Sequence, residues 1–308
     1  MSDSAATPTP REPWARPGAR RPRGSPGDFV AIGHVSRDEF PDGSWRCGGS
    51  AFYGAVTMAR LGVRVALVAR IGEAEYLRYA ELAREVGIDL RRLPSITTTT
   101  FVFSEEDGRR VLRLRARARA IAARDVPTEL GGRPALLGSV VGEHADDLFA
   151  EFSGRAVLTA QGELRAFDAQ GRVRYAPWRR AGTVAPRLRA LVCSDEDLEG
   201  DLAPAFEWSS ECVVVVTRGA RGAALIREGA RVDLAAYRPA RVVDPTGAGD
   251  AFAAGLLVAR EEGASWEAAA DFANCVASFC LEGIGVAGLA ERSRVDERRA
   301  RGDRLPLD

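Results

Sequence analysis

The sequence predicts an α/β domain, a mostly parallel central sheet covered by helices on both faces, with a small β-strand lid at one edge. Two observations carry this. Short runs that are apolar throughout alternate with helical stretches closed by glycine, the pattern of strands buried on both faces. Three other stretches, 38–46, 97–103 and 110–116, alternate polar and apolar residues, so each keeps one wet face and needs a sheet of its own.

Taken in order, residues 1–27 hold prolines, glycines and arginines without hydrophobic periodicity and are expected to form a disordered, mildly basic tail. One domain is expected over 28–290. Phe29–Ile32 is its first strand, ending at Gly33, and Ser50–Leu61 is a helix closed by Gly62, a usual residue just past a helix end. Strand 64–71 and amphipathic helix 75–86, stopped by Gly87, repeat the step. It recurs with strand 135–140, helix 144–152, strand 155–159, strand 190–193, helix 197–207 and strand 212–217. The turn Glu106-Asp107-Gly108 joins the last two lid strands. A meander over 221–234 and a strand at 241–243 lead into helices 249–262 and 265–281, and a charged helix or tail fills 291–308.

Composition removes whole mechanisms. The chain has 308 residues with 43 basic and 43 acidic side chains, and every basic one is arginine. Without lysine there is no Walker P-loop, no protein-kinase strand lysine, and no Schiff-base enzyme. With His34 and His144 as the two histidines, a three-histidine zinc site is excluded, and neither lies near a nucleophile motif. Proton chemistry is therefore expected on carboxylates, and phosphate binding on arginines or backbone amides. Zero net charge argues against nucleic acid or a membrane surface as partner. Five cysteines without a CxxC pair read as reduced thiols, which points to the cytoplasm.

The segment Asp244-Pro245-Thr246-Gly247-Ala248-Gly249-Asp250 runs through a glycine-rich turn into a small-residue helix. The amides of Gly247, Ala248 and Gly249 then point together at the helix's positive end and form a candidate anion hole. Asp250, in the first turn, is the candidate base for a hydroxyl attacking a phosphoryl group.

The run Asp244–Leu257 resembles the C-terminal signature of the ribokinase-like, or PfkB, carbohydrate kinases. Gly33–Asp38 resembles that family's first strand and substrate-binding acid, Gly48-Gly49 its N-terminal diglycine, and Val213–Gly222 its strand and loop against nucleotide. The resemblance implies a ribokinase-like three-layer α/β/α fold and ATP-dependent transfer to a sugar or cyclitol hydroxyl. It implies Asp38, Gly48 and Gly49 at the polyol and Ser194, Thr217, Gly219, Gly222 and Asn274 at ATP. Mg²⁺ belongs with the nucleotide; a monovalent cation and a homodimer through the lid are further candidates. Leu158–Arg165 and Phe272–Gly285 resemble an inositol-kinase branch, which adds Glu143, Gln161 and Arg165 to the acceptor pocket. A nucleoside kinase and a non-catalytic ligand binder on the same fold remain alternatives.

Three positions depart from the pattern. The family's Asn-x-x-Glu element reads Ser194-Asp195-Glu196-Asp197, so Asp197 or Glu196 takes the water-mediated magnesium role. Tyr53 stands where many relatives place a sugar-binding Asn, and Gly72-Glu73-Ala74-Glu75 replaces a Gly-Asp-Asp-x-x-Gly stretch. Gly283–Gly288 fits GxGxxG but follows a helical tract, which disfavours a dinucleotide oxidoreductase. The arginines of 109–119 read as the wet face of a lid strand, with an anion clamp by Arg113, Arg115 or Arg117 as the alternative.

Overall fold

A computed structural model describes residues 28–106 and 109–307. The predicted tail at 1–27 and the Asp107-Gly108 turn lie outside the described residues. The chain runs β1 (Phe29–His34), β2 (Ser36–Glu39), β3 (Trp45–Gly48), α1 (Ser50–Arg60), β4 (Val65–Gly72), α2 (Glu73–Val86), β5 (Asp89–Ser95), β6 (Thr99–Glu106) and β7 (Arg109–Ala116). It continues β8 (Ala135–Gly138), α3 (Asp146–Glu151), β9 (Ala156–Thr159), β10 (Arg165–Phe167), β11 (Val173–Tyr175), α4 (Ala181–Val184), β12 (Leu188–Ser194) and α5 (Ala203–Trp208). Last come β13 (Val213–Thr217), β14 (Ala223–Arg227), β15 (Ala230–Leu234), α6 (Ala248–Glu261), α7 (Trp266–Cys280) and α8 (Arg292–Arg301).

Nine strands form one sheet in the order β15-β14-β13-β12-β9-β8-β1-β4-β5. Pairing is parallel from β13 to β5, and β14 and β15 close the other edge antiparallel. Strand order reverses between β1 and β8, the switch point beside which open α/β sheets bind ligands. Alternate residues feed two cores. Ala31, Leu67, Leu136 and Val192 pack under α1, α2, α6 and α7 with Phe52, Leu256 and Phe272; Ile32, Val68, Leu137 and Leu191 face Phe149 and Trp208 of α3 and α5. Glycines let α1 press onto the sheet, since a Cβ on Gly138 would strike the backbone of Ala51 and one on Gly54 would strike Leu136.

The lid is a four-stranded sheet, β3-β2-β6-β7, with β2 and β6 parallel. Its apolar face, Phe101, Phe103, Leu112 and Leu114, packs on Val140 and Val141 after β8. Both histidines serve this framework. Thr99 donates to His34 Nδ1 at 2.8 Å while His34 Nε2 donates to Arg119 O at 2.9 Å, tying both legs of the lid to β1. His144 Nε2 donates to Ile32 O at 3.1 Å.

Some elements differ from the sequence expectation. The strand expected at 241–243 is irregular, because the amides of Val243 and Asp244 bond to Leu281 O at the end of α7 rather than to a sheet. The helix expected from 197 starts at Ala203, after Gly200 turns the chain at φ 84°. Helix 144–152 shortens to Asp146–Glu151. The expected lid strand at 38–46 is a hairpin, β2 and β3 with the turn 40–44 between them. Strand β5 hides behind two arginines and a proline; it is an edge strand whose Arg91 pairs with Asp89 and whose Arg92 pairs with Glu73, and such residues suit an edge. The β10–β11 hairpin was likewise not legible from alternation.

Candidate active site

A cleft of about 560 Å³ opens at the carboxyl ends of β1, β8, β9, β12 and β13, with β6 and β7 of the lid forming one wall. The Asp244–Asp250 turn lies along it. The Asp244 carboxylate accepts from Thr246 N at 3.0 Å, and Gly247 takes the left-handed conformation, φ 85°, as the N-cap of α6. Glycine is required there twice over, because a Cβ would also enter the ring of Tyr53. The first intrahelical bond is Ala251 N to Gly247 O at 2.8 Å, and Ala248 N bonds to Pro245 O at 3.2 Å. Ala248 N is thus engaged, while no backbone acceptor is seen for the amides of Gly247, Gly249 and Asp250, so the candidate anion hole keeps Gly247 and Gly249 and gains Asp250 in place of Ala248. Open space above Gly249 leaves room for an anion.

Asp250 faces the N-terminus of α1. Burial in the cleft pushes its carboxyl up to about 7, and the charge of Asp197 adds to this; a hydrogen bond from Ser50 and the charge of Arg165 oppose it. Arg165 donates to Val140 O at 3.2 Å and lies on the cleft wall, among the charges of Asp197, Asp250 and Asp38. Burial depresses its pKa and those three carboxylates counter the shift.

At the lid end, Asp38 is buried on β2, accepts from Ser36 Oγ at 2.8 Å and reaches the cleft. Gly49 and Gln161 also line it. Two expectations change. Gly48 is not on the wall; a Cβ there would displace the Asp38 carboxylate, so this glycine makes room for the acid rather than for a sugar. Glu143 is not on the wall either. Its fully buried carboxylate accepts from His34 N at 2.9 Å, Val140 N at 3.0 Å and Val141 N at 2.9 Å, and so staples the loop after β8 to β1. The lid arginines are engaged elsewhere: Arg113 with Glu106, Arg115 with Glu39, and Arg117 with Val141 O.

Along the remaining wall lie Ser194, Glu196, Asp197, Thr217, Gly219, Gly222 and Asn274. Ser194 and Asp197 close a reciprocal box, Ser194 N to Asp197 Oδ2 at 2.9 Å and Asp197 N to Ser194 Oγ at 3.0 Å. Thr217 donates to Cys193 O at 3.3 Å, and Asn274 Nδ2 donates to Ala235 O at 3.3 Å. Gly222, at φ 80°, sits so close to Leu234 O that no side chain fits. The sequence reading missed Ser36, Ser50, Tyr237 and Ser278 on this wall. The signal for Ser50 was its place directly after the diglycine; the other three carry none that distinguishes them from core residues. The GxGxxG stretch follows α7, and a short turn of helix at Gly285–Gly288 is all it opens, which is not a dinucleotide fingerprint.

Among the described residues no group of three or more His, Cys, Asp or Glu is placed to cage a metal. Mg²⁺ takes most of its ligands from phosphate oxygens and water, so the carboxylates of Glu196 and Asp197 on the wall fit it in that mode. No described helix is long and apolar enough to cross a membrane.

The pfkB family carbohydrate kinase model matches residues 189–292. A nucleoside kinase of Methanothermobacter thermautotrophicus is 26% identical over 294 residues, covering 84% of this chain and 90% of its own length. Two solved structures share the fold. A ribokinase-family pyrophosphate-dependent kinase complexed with a pyrophosphate analog and myo-inositol has TM-score 0.72 at 21% identity, covering 87% of this chain and 99% of its own. Arabidopsis thaliana ribokinase complexed with ribose and ATP has TM-score 0.70 at 20% identity, covering 89% and 99%. The fold is that of ribokinase-family kinases, and residues 189–292, which include the Asp244–Asp250 turn, match the pfkB family carbohydrate kinase model, a likeness that supports a phosphotransferase with a hydroxyl acceptor.

Proposed function

We propose that the chain transfers the γ-phosphoryl group of ATP to a hydroxyl of a nucleoside. The observation that carries the acceptor class is the lid end of the cleft. There Phe101, Phe103, Tyr53 and Leu112 line the same cleft as Asp38, Ser36 and Ser50, so apolar rings and hydrogen-bonding groups share one wall. A free sugar or cyclitol presents hydroxyls on every edge and would leave them against those rings, each unpaired hydroxyl costing on the order of 1–3 kcal/mol. A nucleoside presents ribose hydroxyls to Asp38 and a flat base to the rings. The sugar or cyclitol acceptor is the second reading, favoured by the polar set Asp38, Gln161 and Arg165.

In this reading Asp38 accepts two hydroxyl hydrogen bonds and holds the acceptor. Asp250 takes the proton of the attacking hydroxyl, and the amides of Gly247, Gly249 and Asp250 receive the charge of the transferring group. Arg165, drawn in by Asp250, Asp197 and Asp38, adds positive charge beside the reacting oxygens. The turns at Thr217–Gly222 and the α7 wall at Asn274 receive the nucleotide. Magnesium, when bound with the nucleotide, neutralises its phosphate charges.

Product release over nucleosides, pentoses, hexoses and inositols, each with ATP and with pyrophosphate as donor, tests the assignment. A nucleoside with ATP is expected to give the highest kcat/KM, and Phe103→Ala to raise the nucleoside KM about fivefold or more while changing a pentose's far less. A hexose or inositol as best acceptor overturns the nucleoside assignment, pyrophosphate as the better donor overturns ATP, and no turnover with the whole panel points to a ligand binder.

A further inference from the structure

The α7 wall of the cleft carries a hydroxyl whose hydrogen-bonding direction is already decided. Ser278 donates its proton to Cys275 O at 2.6 Å and accepts from Arg298 Nη1 at 2.8 Å. A hydroxyl has one proton and two lone pairs, so a single lone pair is left for the cleft that Ser278 lines.

Arg298 holds this arrangement from behind. It comes from α8, is 5% exposed, pairs with Glu282 Oε1 at 2.5 Å and stacks 3.5 Å over the Phe279 ring. A guanidinium only donates and keeps its charge, so it prevents Ser278 from turning its proton that way. Most neighbouring groups are spent or apolar, and Asn274 has committed one N–H to Ala235 O. Tyr237, on the same wall, donates to Asp271 at 3.1 Å and accepts from Arg304 at 2.9 Å, which leaves its ring to the cleft. Ala236, Ala277 and Leu281 line the same wall, and Asn274, one turn before Ser278, lies on the same helix face.

We infer that Ser278, oriented by Arg298, is a specificity-determining residue that selects donor nucleotides whose base edge carries an amino group over those carrying a carbonyl. An amino N–H meets the lone pair, whereas a carbonyl oxygen opposes it and forces the hydroxyl to abandon Cys275 O. This inference rests on the nucleotide-donor reading. A change worth one net hydrogen bond corresponds to about tenfold in preference.

The test compares ATP with inosine triphosphate, which differ at that edge, on the full chain, with direct binding of ADP and inosine diphosphate as a readout independent of turnover. The wild-type chain is expected to prefer ATP, and ADP, about tenfold. Ser278→Ala should bring both ratios near one, with the loss falling on the ATP KM rather than on kcat. Arg298→Met should erode the preference in the same direction and Arg298→Lys should retain most of it. Ratios unchanged in Ser278→Ala overturn the inference, as does a wild-type chain that binds the two diphosphates equally. Failure of the donor reading is distinct: pyrophosphate then supports turnover and ATP does not, in the wild-type chain itself, and the inference falls with it.

Discussion

At the α6 end of the cleft, one unbroken run of chain, Asp244–Asp250, supplies the turn, the open amides and the carboxylate. At the lid end the wall is gathered from Asp38 on β2, Ser50 on α1, Phe101 on β6, Leu112 on β7 and Arg165 on β10. The first end is backbone geometry, set by glycine conformations and a helix terminus, and in the proposed function it would serve any phosphoryl transfer. The second is a set of side chains whose proximity depends on sheet order and lid placement, and in the proposed function that set selects the acceptor. Reaction class and acceptor identity are therefore written in different physical terms.

The sharpest way to break this contrast is at the residue both ends share. Asp250→Asn is expected to lower kcat by about 10²–10⁴-fold with every acceptor, with nucleotide affinity kept within a few-fold, as read by turnover and a nucleotide titration. Near-normal turnover would remove Asp250 from the chemistry.

At the α6 end, Gly249→Ala and Gly247→Ala should separate chemistry from folding. A Cβ on Gly249 meets open space on the cleft side, so stability should hold within about 0.5 kcal/mol while turnover falls at least tenfold. A Cβ on Gly247 meets Tyr53 at φ 85°, so the melting temperature should drop, by a loss of about 1–3 kcal/mol. Equal melting temperatures for the two variants would contradict the geometry of the turn.

A smaller, graded effect should appear in pH. With its carboxyl raised to about 7 by burial, Asp250 is protonated below that value and cannot accept a proton, so kcat/KM should fall about tenfold per unit on the acid side and level off above it. Ser50 donates to the ionised form, so Ser50→Ala should move the limb to higher pH. A limb that stays put in that variant would show that Asp250 does not set the profile.

The sheet was legible because strands such as Val213–Val216 are apolar on both faces, and the anion turn because its glycines and acid are adjacent in sequence. Strand β5 was not, since its arginines answer to an edge position that only sheet order reveals. Glu143 and Gly48 misled for a related reason. A buried carboxylate bonded to three amides and a glycine that clears space for Asp38 look, in one dimension, like ligand-facing residues.

By itself the sequence pointed to the α/β class, a lysine-free candidate anion turn, and the candidate base, because each depends on neighbours along the chain or on a residue type being absent. Tertiary structure alone decided that both histidines are framework, that the lid arginines are engaged in pairs, that Ser50 faces Asp250, and that Arg298 turns the Ser278 hydroxyl. Those outcomes hang on distances between residues far apart in the chain, and packing two cores against one twisted sheet is what sets them.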